Sequence, residues 1–365
     1  MPGTQDGKIR VGVVFGGRSA EHEVSLASAK AIMAELNRDR YEIIPLLVTQ
    51  KGKWILLPDP EGAAGDGREV FLPPTPGDAS LYSPEGGKVA GADVFFPIIH
   101  GTFGEDGTLQ GLFELAEVPF VGSGCFSSAA SMDKSAAKAI MRAAGLPVLP
   151  SLTVSRERWN SGRAQVLDDA ESNIGFPLFV KPTSLGSSVG IHRIENPGKL
   201  EAAMKDALAY DFKVLVEEEA RGRELECAVL EDPEGGELLA SPLAEIRTKS
   251  EWYDYEAKYT PGLTEVIIPA ELTDSVVRQM HIHARTAFFA LGCSGLARVD
   301  YFYREAAGEV YINELNTLPG FTEFSGYPKM IGEAGVPYPA MLDRLIACAF
   351  ARHTRTQERH YHRSG

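Results

Sequence analysis

The stretch Glu314-Leu315-Asn316-Thr317-Leu318-Pro319-Gly320 constrains this chain more than any other segment. It follows the apolar run Val310-Tyr311-Ile312, which reads as a strand, and it ends in a turn that Pro319 and Gly320 favour. Residues two apart on a strand share a face, so the Glu314 carboxylate and the Asn316 carboxamide point the same way. Both are oxygen donors, the chemistry that hard Mg²⁺ prefers when it also carries nucleotide phosphates. Upstream, Arg298-Val299-Asp300 repeats the spacing with a cation and a carboxylate. Asp300, Glu314 and Asn316 thus form a candidate cradle for two magnesium ions, with Arg298 beside it to meet developing negative charge. The pattern points to a chain that handles ATP.

With 365 residues, the chain has room for two or three packed subdomains. A net charge of −14 argues against a nucleic-acid partner, while leaving local lysines and arginines free to bind phosphate. Cys125, Cys227, Cys293 and Cys348 are scattered without CxxC spacing, which favours free thiols in a reducing compartment. The opening residues lack the apolar core of a signal peptide, and no apolar run approaches a membrane span. The expected setting is cytoplasmic, with no membrane partner.

Hydrophobic periodicity predicts an α/β fold. Ile9 to Phe15 reads as a buried strand, followed by a helix over about Glu21–Leu36 and a second strand from Glu42 to Val48. That order suggests a parallel sheet covered by helices. Residues 59–91, rich in Pro, Gly and Asp, read as loops with short edge structure. Val94–Ile99 is a further buried strand leading into glycine-rich His100–Gly111. A helix is expected from about Ser127 through Met132-Asp133-Lys134-Ser135 to Ala144, where Gly145-Leu146-Pro147 stops it. Strands are expected at Phe176–Lys181, Val214–Glu218 and Leu225–Leu230, and a helix over about Asp274–Leu291. Arg247–Leu263 reads as a long surface loop or lid, and the Arg- and His-rich tail after Ala351 as frayed.

Several segments carry chemistry. Lys181-Pro182-Thr183-Ser184-Leu185-Gly186-Ser187-Ser188-Val189-Gly190 places a lysine at a strand end before a small, hydroxyl-rich loop. Its backbone N–H groups can close on an anion, although a flexible hairpin with a solvent-facing lysine would read the same. Lys134 alone reads as a surface lysine and gains weight as a second phosphate partner for Lys181. The acidic run Glu217-Glu218-Glu219 reads in isolation as a solvated face, and alternatively as the edge that receives a nucleoside. His100 follows a buried strand, the position where open α/β sheets bind ligands. Glu21 lies at a helix N-terminus, where acids complement the helix dipole. Lys258 and Tyr259 belong to the aromatic segment Tyr253–Tyr259 of the lid, and Lys258 can close onto a transferring phosphate. His281 and His283 face different ways on a helix and read as structural.

In order and spacing these segments resemble the D-alanine–D-alanine ligases of the ATP-grasp superfamily, from about Ile9 to Ala349. The resemblance rests on Gly16-Gly17-Arg18-Ser19-Ala20-Glu21, His100-Gly101 through Gly107-Thr108, Ser131-Met132-Asp133-Lys134, Gly186 through Gly190, and Glu314 through Thr322. It implies three α/β subdomains: an N-terminal substrate-binding domain over 1–126, a central ATP-grasp subdomain over 127–213, a C-terminal catalytic subdomain over 214–351, and a flexible tail over 352–365. It implies ATP held by Lys134 and Lys181 at the phosphates, by Glu217, Glu218, Glu219 and Ala220 along the adenine edge, and by Glu224 at the ribose. Asp300, Glu314 and Asn316 would coordinate two Mg²⁺ ions, with Mn²⁺ able to substitute.

By the same resemblance, Glu21 would bind the first D-alanine's amino group, linked to Ser187 and Tyr259. His100 would sit near the substrate carboxylates, Lys258 would reach the γ-phosphate, and Ser325 would hold the second D-alanine's carboxylate. Arg298 and the Gly320 N–H would form the oxyanion hole. The implied reaction passes through an acyl phosphate that a lid must shield from water. Tyr259 favours the dipeptide product over D-alanyl-D-lactate, and a homodimer is expected. Rival readings are a sibling ligase taking D-lactate or D-serine, a non-catalytic ATP-binding regulator, and an interaction scaffold using the aromatic lid.

Overall fold

The computed structural model describes residues 7–62, 64–186, 189–248 and 264–358. The first unit contains β1 (Ile9–Gly16), β2 (Tyr41–Val48), β3 (Trp54–Leu56), β4 (Arg68–Val70), β5 (Ser80–Tyr82), β6 (Lys88–Gly91) and β7 (Val94–Pro97). Its main sheet runs β4-β3-β2-β1-β7, with β1 parallel to both β2 and β7. Val11, Val13 and Val14 of β1 are fully buried, because helices and neighbouring loops cover both faces of the parallel part of this mixed sheet, β2-β1-β7. The helices α1 (His22–Glu35) and α2 (Thr108–Leu115) start just beyond glycine-rich turns that follow β1 and β7.

The central sheet contains β8 (Ser151–Ser155), β9 (Leu178–Pro182), β10 (His192–Ile194) and β11 (Lys213–Glu218), in the order β10-β9-β11-β8. The third sheet contains β12 (Arg223–Leu230), β13 (Leu239–Ala240), β14 (Ala244–Thr248), β15 (Thr264–Ile267), β16 (Leu296–Arg304) and β17 (Glu309–Asn316). It runs β15-β14-β12-β16-β17, with β13 added to β12. Helix Asp274–Ala290 covers its inner face through Met280, Ala284, Ala287 and Phe288, all buried.

Two expectations need correction. The single helix through Ser127–Ala144 is two, α3 (Cys125–Met132) and α4 (Lys134–Ala143). Asp133 breaks the run because its carboxylate accepts the N–H groups of Ser135 at 3.0 Å and Ala136 at 3.1 Å, capping α4. Ala130, Ala137 and Met141 of α3 and α4 share a core with β12, β16 and β17, so these helices pack with the C-terminal sheet. Conversely, β11 pairs with β8 and β9 and buries Val214 and Val216 in the central core. Finally, the expected frayed tail is helical through Gln357, the end of helix Tyr338–Gln357. Arg352 holds it down by donating to the carbonyls of Gly122 and Phe120.

Candidate active site

The cleft face of the C-terminal sheet is set by strand register. On β16, Ala297, Val299, Tyr301 and Tyr303 are buried, so Arg298, Asp300, Phe302 and Arg304 point to the other side. Asp300 lies opposite Glu314 of β17 and Glu226 of β12, while Arg298 lies opposite Asn316. Glu224 lies opposite Phe302, further along the same face. The expected ribose residue, the three expected metal ligands and the expected oxyanion-hole arginine therefore form one patch.

Within the patch, Arg298 forks onto Asp300 with Nε–Oδ1 at 2.7 Å and Nη2–Oδ2 at 2.6 Å. Asn316 Nδ2 donates to Asp300 Oδ2 at 2.9 Å, and Glu226 Oε1 lies 3.3 Å from Arg298 Nε. Glu314 lies 3.7 Å from Lys134 Nζ. Two carboxylates and a carboxamide on one face are all hard oxygen donors, the set that suits magnesium. The Asn316 amide presents its oxygen to a cation by a simple flip. These residues fit the expected metal.

The phosphate side is built from α4 and β9. Lys134 Nζ donates to the Leu185 carbonyl at 2.9 Å, which ties the start of α4 to the loop after β9. Lys181 Nζ donates to Glu217 Oε2 at 2.7 Å. The other oxygen of Glu217 lies 2.5 Å from Lys138 Nζ. Burial works to raise the Glu217 carboxyl, but the two ammonium groups overcome it and hold its pKa below the usual range. Burial pushes the Lys138 ammonium down.

The acidic triplet therefore has a structural explanation that neither a solvated face nor a purely adenine-facing edge provides. The Glu217 side chain is interior and commits both oxygens to lysines. Glu218 accepts from Arg304 at 2.5 Å, and Glu219 accepts from Arg193 at 2.5 Å and Arg221 at 2.9 Å. Glu218 thereby joins the central sheet to β16, Glu217 joins it to α4, and Glu219 holds β10 and the loop before β12. A nucleoside approaching this strand end would meet backbone and half-buried Ala220 rather than the Glu217 carboxylate.

The substrate side joins three loops. Glu21 occupies the residue before α1, and a Cβ placed on Gly101 would lie 2.6 Å from its Oε2. A Cβ on Gly186 would lie 3.3 Å from the same oxygen. Ser19 Oγ donates to the His100 carbonyl at 2.6 Å and accepts the Glu21 N–H at 3.2 Å. His100 is buried: Nε2 lies 3.0 Å from Ser28 Oγ and Nδ1 lies 3.2 Å from Glu105 Oε1. Ser28 Oγ also accepts the Phe321 N–H at 3.3 Å, which connects α1 to the turn carrying Gly320. Ser325 Oγ accepts the Thr322 N–H at 3.0 Å, and a Cβ on Gly320 would stand 2.7 Å from that hydroxyl.

Ser187, Lys258 and Tyr259 lie outside the described residues. The segment containing Lys258 and Tyr259 is bracketed by Thr248 and Thr264, which are register partners on β14 and β15. Sequence reading missed Ser28, Glu105, Lys138 and Glu226. Lys138 carried a signal, since it sits one turn after Lys134 on the same helical face. Glu226 carried another, two residues after Glu224 on one strand face.

Comparison with known proteins decides the family. The sequence model of the D-ala D-ala ligase N-terminus matches residues 10–123, and that of the C-terminus matches residues 140–347. The chain belongs to the D-alanine–D-alanine ligase family. It is 43% identical over 357 residues to a D-alanine–D-alanine ligase of Heliobacterium modesticaldum, covering 96% of this chain and 97% of that protein. A D-alanine–D-alanine ligase A of Bradyrhizobium diazoefficiens is 44% identical over 373 residues, covering 96% and 97%. Among solved structures, the D-alanine–D-alanine ligase from Coxiella burnetii superposes with a TM-score of 0.84 at 37% identity, covering 96% of this chain and 97% of that one. The VanG D-Ala:D-Ser ligase from Enterococcus faecalis reaches the same TM-score at 36% identity, covering 94% and 99%. The family fold is the ATP-grasp architecture, and the sheets described above are this chain's version of it.

Proposed function

We propose that this protein joins two D-alanine molecules into D-alanyl-D-alanine at the expense of ATP, for peptidoglycan precursor synthesis in the cytoplasm. The observation that carries the reading is the convergence of loops: Glu21 Oε2 lies in the space that a side chain on Gly101 or Gly186 would enter, while Ser28 ties the same helix to Phe321, beside Gly320. Three distant parts of the sequence thus meet, and the turn carrying Gly320 follows directly on the strand end that bears Glu314 and Asn316.

In this reading Lys134 and Lys181 bind ATP phosphates, the 217–220 edge receives adenine through its backbone, and Glu224 binds ribose. Asp300, Glu314 and Asn316 would hold two Mg²⁺ ions, which supply charge neutralisation of the phosphates. Glu21 orients the ammonium group of the first D-alanine. A carboxylate oxygen of that D-alanine attacks the γ-phosphorus, the bond to the β-phosphate oxygen breaks, and ADP leaves. The deprotonated amine of the second D-alanine, oriented through its carboxylate by Ser325, attacks the acyl carbon. Arg298 and the Gly320 N–H meet the tetrahedral oxyanion, after which the C–O bond breaks and phosphate departs. His100, fixed between Ser28 and Glu105, shapes the carboxylate side of the cleft. Ser187 and Tyr259 complete the hydrogen-bonded link to Glu21, and Lys258 closes on the γ-phosphate. The working form is a homodimer.

Phosphate release from MgATP, measured with D-alanine, L-alanine or no amino acid and with products identified by mass, tests the reading. Release that depends on D-alanine and yields dipeptide supports it; ATP binding without D-alanine-dependent turnover sinks it. The second reading is a D-serine-using sibling, favoured by the equal TM-score of the D-Ala:D-Ser ligase. Competition between D-alanine and D-serine in the same assay separates the two, and sedimentation of the full chain tests the dimer.

A further inference from the structure

Lys138 has no role in the reading above, yet among the described residues it is the one lysine or arginine that is buried. Its side chain is 3% exposed, that of Glu217 is 1% exposed, and that of Lys181 is 13% exposed. One carboxylate therefore sits between two ammonium groups in a nearly dry site. Lys138 comes from α4, which packs with the C-terminal sheet, whereas Lys181 and Glu217 stand on neighbouring strands of the central sheet. The cluster carries one net positive charge, and Lys181 is its member with access to the cleft.

We propose that Lys138 is a positioning residue for nucleotide phosphate binding, acting through Glu217 on Lys181. This rests on the reading of Lys181 as a phosphate ligand. By occupying Oε1 of Glu217, Lys138 leaves Lys181 only Oε2, so Lys181 stays at one edge of the carboxylate with its remaining donors directed away from it. The second ammonium group also keeps the local charge positive. Without Lys138, Glu217 and Lys181 become a neutral buried pair, and a phosphate must compete with the whole carboxylate for the lysine. Burying an ammonium group is costly, as the downward push on Lys138 shows, so a purely apolar contact would have filled this space at lower cost.

The test measures ATP and adenosine binding to the full protein by calorimetry, together with steady-state kinetics, for Lys138→Met, Lys181→Met, Glu217→Gln and their pairs. Lys138→Met is expected to weaken ATP tenfold or more, leave adenosine within about threefold, and leave the D-alanine KM values unchanged at saturating ATP. Lys138→Met in a Lys181→Met background is expected to add little, because both act at one point. Glu217→Gln added to Lys138→Met is expected to recover ATP affinity, since the carboxylate that captures Lys181 is gone. That pair leaves Lys181, the most exposed of the three side chains, without its carboxylate, so a thermal midpoint is measured for every variant as the folding control. Equal losses for ATP and adenosine, additive losses with Lys181→Met, or no recovery in the Lys138→Met/Glu217→Gln pair would overturn the proposal. If Lys181→Met itself leaves ATP affinity intact, it is the reading of Lys181 that fails.

Discussion

Glu314 and Ile312 stand two residues apart on β17 and face opposite sides of the sheet. Ile312 is fully buried in the core with Val310 and Leu315, whereas Glu314 reaches into the cleft near Lys134. Regular alternation would have put both on one face. The register explains the difference: Asp300 opposes Glu314 but Tyr301 opposes Ile312, so Asn313 is an extra, bulged residue. Deleting Asn313 removes the bulge and leaves Ile312, Glu314, Leu315 and Asn316 in regular alternation, with Glu314 and Asn316 still on the cleft face. The lost bend is expected to draw them out of line with Asp300 and Arg298 and to lower magnesium-dependent ATP turnover sharply. Asn313→Ala, which keeps the residue count, is expected to retain activity within a few-fold. Equal losses in the two variants would locate the effect in the Asn313 side chain instead of the register.

Gly320 has no room for a side chain on the face it turns toward Ser325. A Cβ there would stand 2.7 Å from the serine hydroxyl, which is engaged with the Thr322 N–H and, at 2.8 Å, with its hydroxyl. The clash is with the end of a short side chain, so the folding cost of Gly320→Ala is expected to be small. The cost falls on the placement of Ser325. The KM for the second D-alanine is expected to rise at least tenfold, ~1.4 kcal/mol, with a thermal midpoint close to that of the parent. An unchanged KM would remove Ser325 from the carboxylate site.

Gly101 meets two constraints at once. Its φ of +75 lies in the left-handed region, and a Cβ would stand 2.6 Å from Glu21 Oε2. Gly101→Ala is expected to lose about 1–2 kcal/mol of stability from the backbone alone. It is also expected to weaken the first D-alanine site more than the second by displacing Glu21. Separate KM values for the two D-alanine sites, with urea denaturation alongside, check both halves.

The His100–Glu105 pair sets a pH dependence. Burial raises the Glu105 carboxyl above its ordinary value of 4.5, and the imidazole only partly offsets this. The folded protein therefore holds the Glu105 proton to higher pH than the unfolded chain does. Its contribution to stability is greatest below the ordinary value and declines as pH rises through the raised one. Glu105→Gln is expected to remove that decline, so its stability relative to the parent grows from pH 4 to pH 7. Parallel stability curves over this range would show that Glu105 ionises in the fold as it does in water.

How much of this was legible in the sequence depended on range. The strands around Val11, Val94 and Val299 were readable because apolar runs and alternation are local signals. The Arg298–Asp300 and Glu314–Asn316 pairs were likewise readable from spacing. The parity break between Ile312 and Leu315 was present in the sequence, but it was interpretable only once β16 supplied the register. Glu217, Glu218 and Glu219 could not be assigned alone, because their cations, Lys138, Lys181, Arg304 and Arg193, arrive from other elements. The division of α3 from α4 was obscured because Asp133 sits within a run that helical periodicity spans, and its cap is a side-chain choice.

The end of the last helix was misread for a similar reason: its polar composition hides one half-buried cation. Arg352 donates to the Phe120 carbonyl at 2.8 Å and to the Gly122 carbonyl, and its guanidinium lies 3.9 Å from the Phe120 ring centroid. Burial pushes its pKa down to about 10, which leaves it a cation at neutral pH. Arg352→Met would orphan two carbonyls and remove the ring contact while filling much of the same space. The expected cost is about 2–4 kcal/mol of unfolding free energy. None of these partners belongs to the cleft, so kcat and both D-alanine KM values are expected to be unchanged at temperatures where the variant is folded. Denaturation and kinetics on one preparation check the separation. A loss of kcat at parental stability would instead tie this helix to the chemistry.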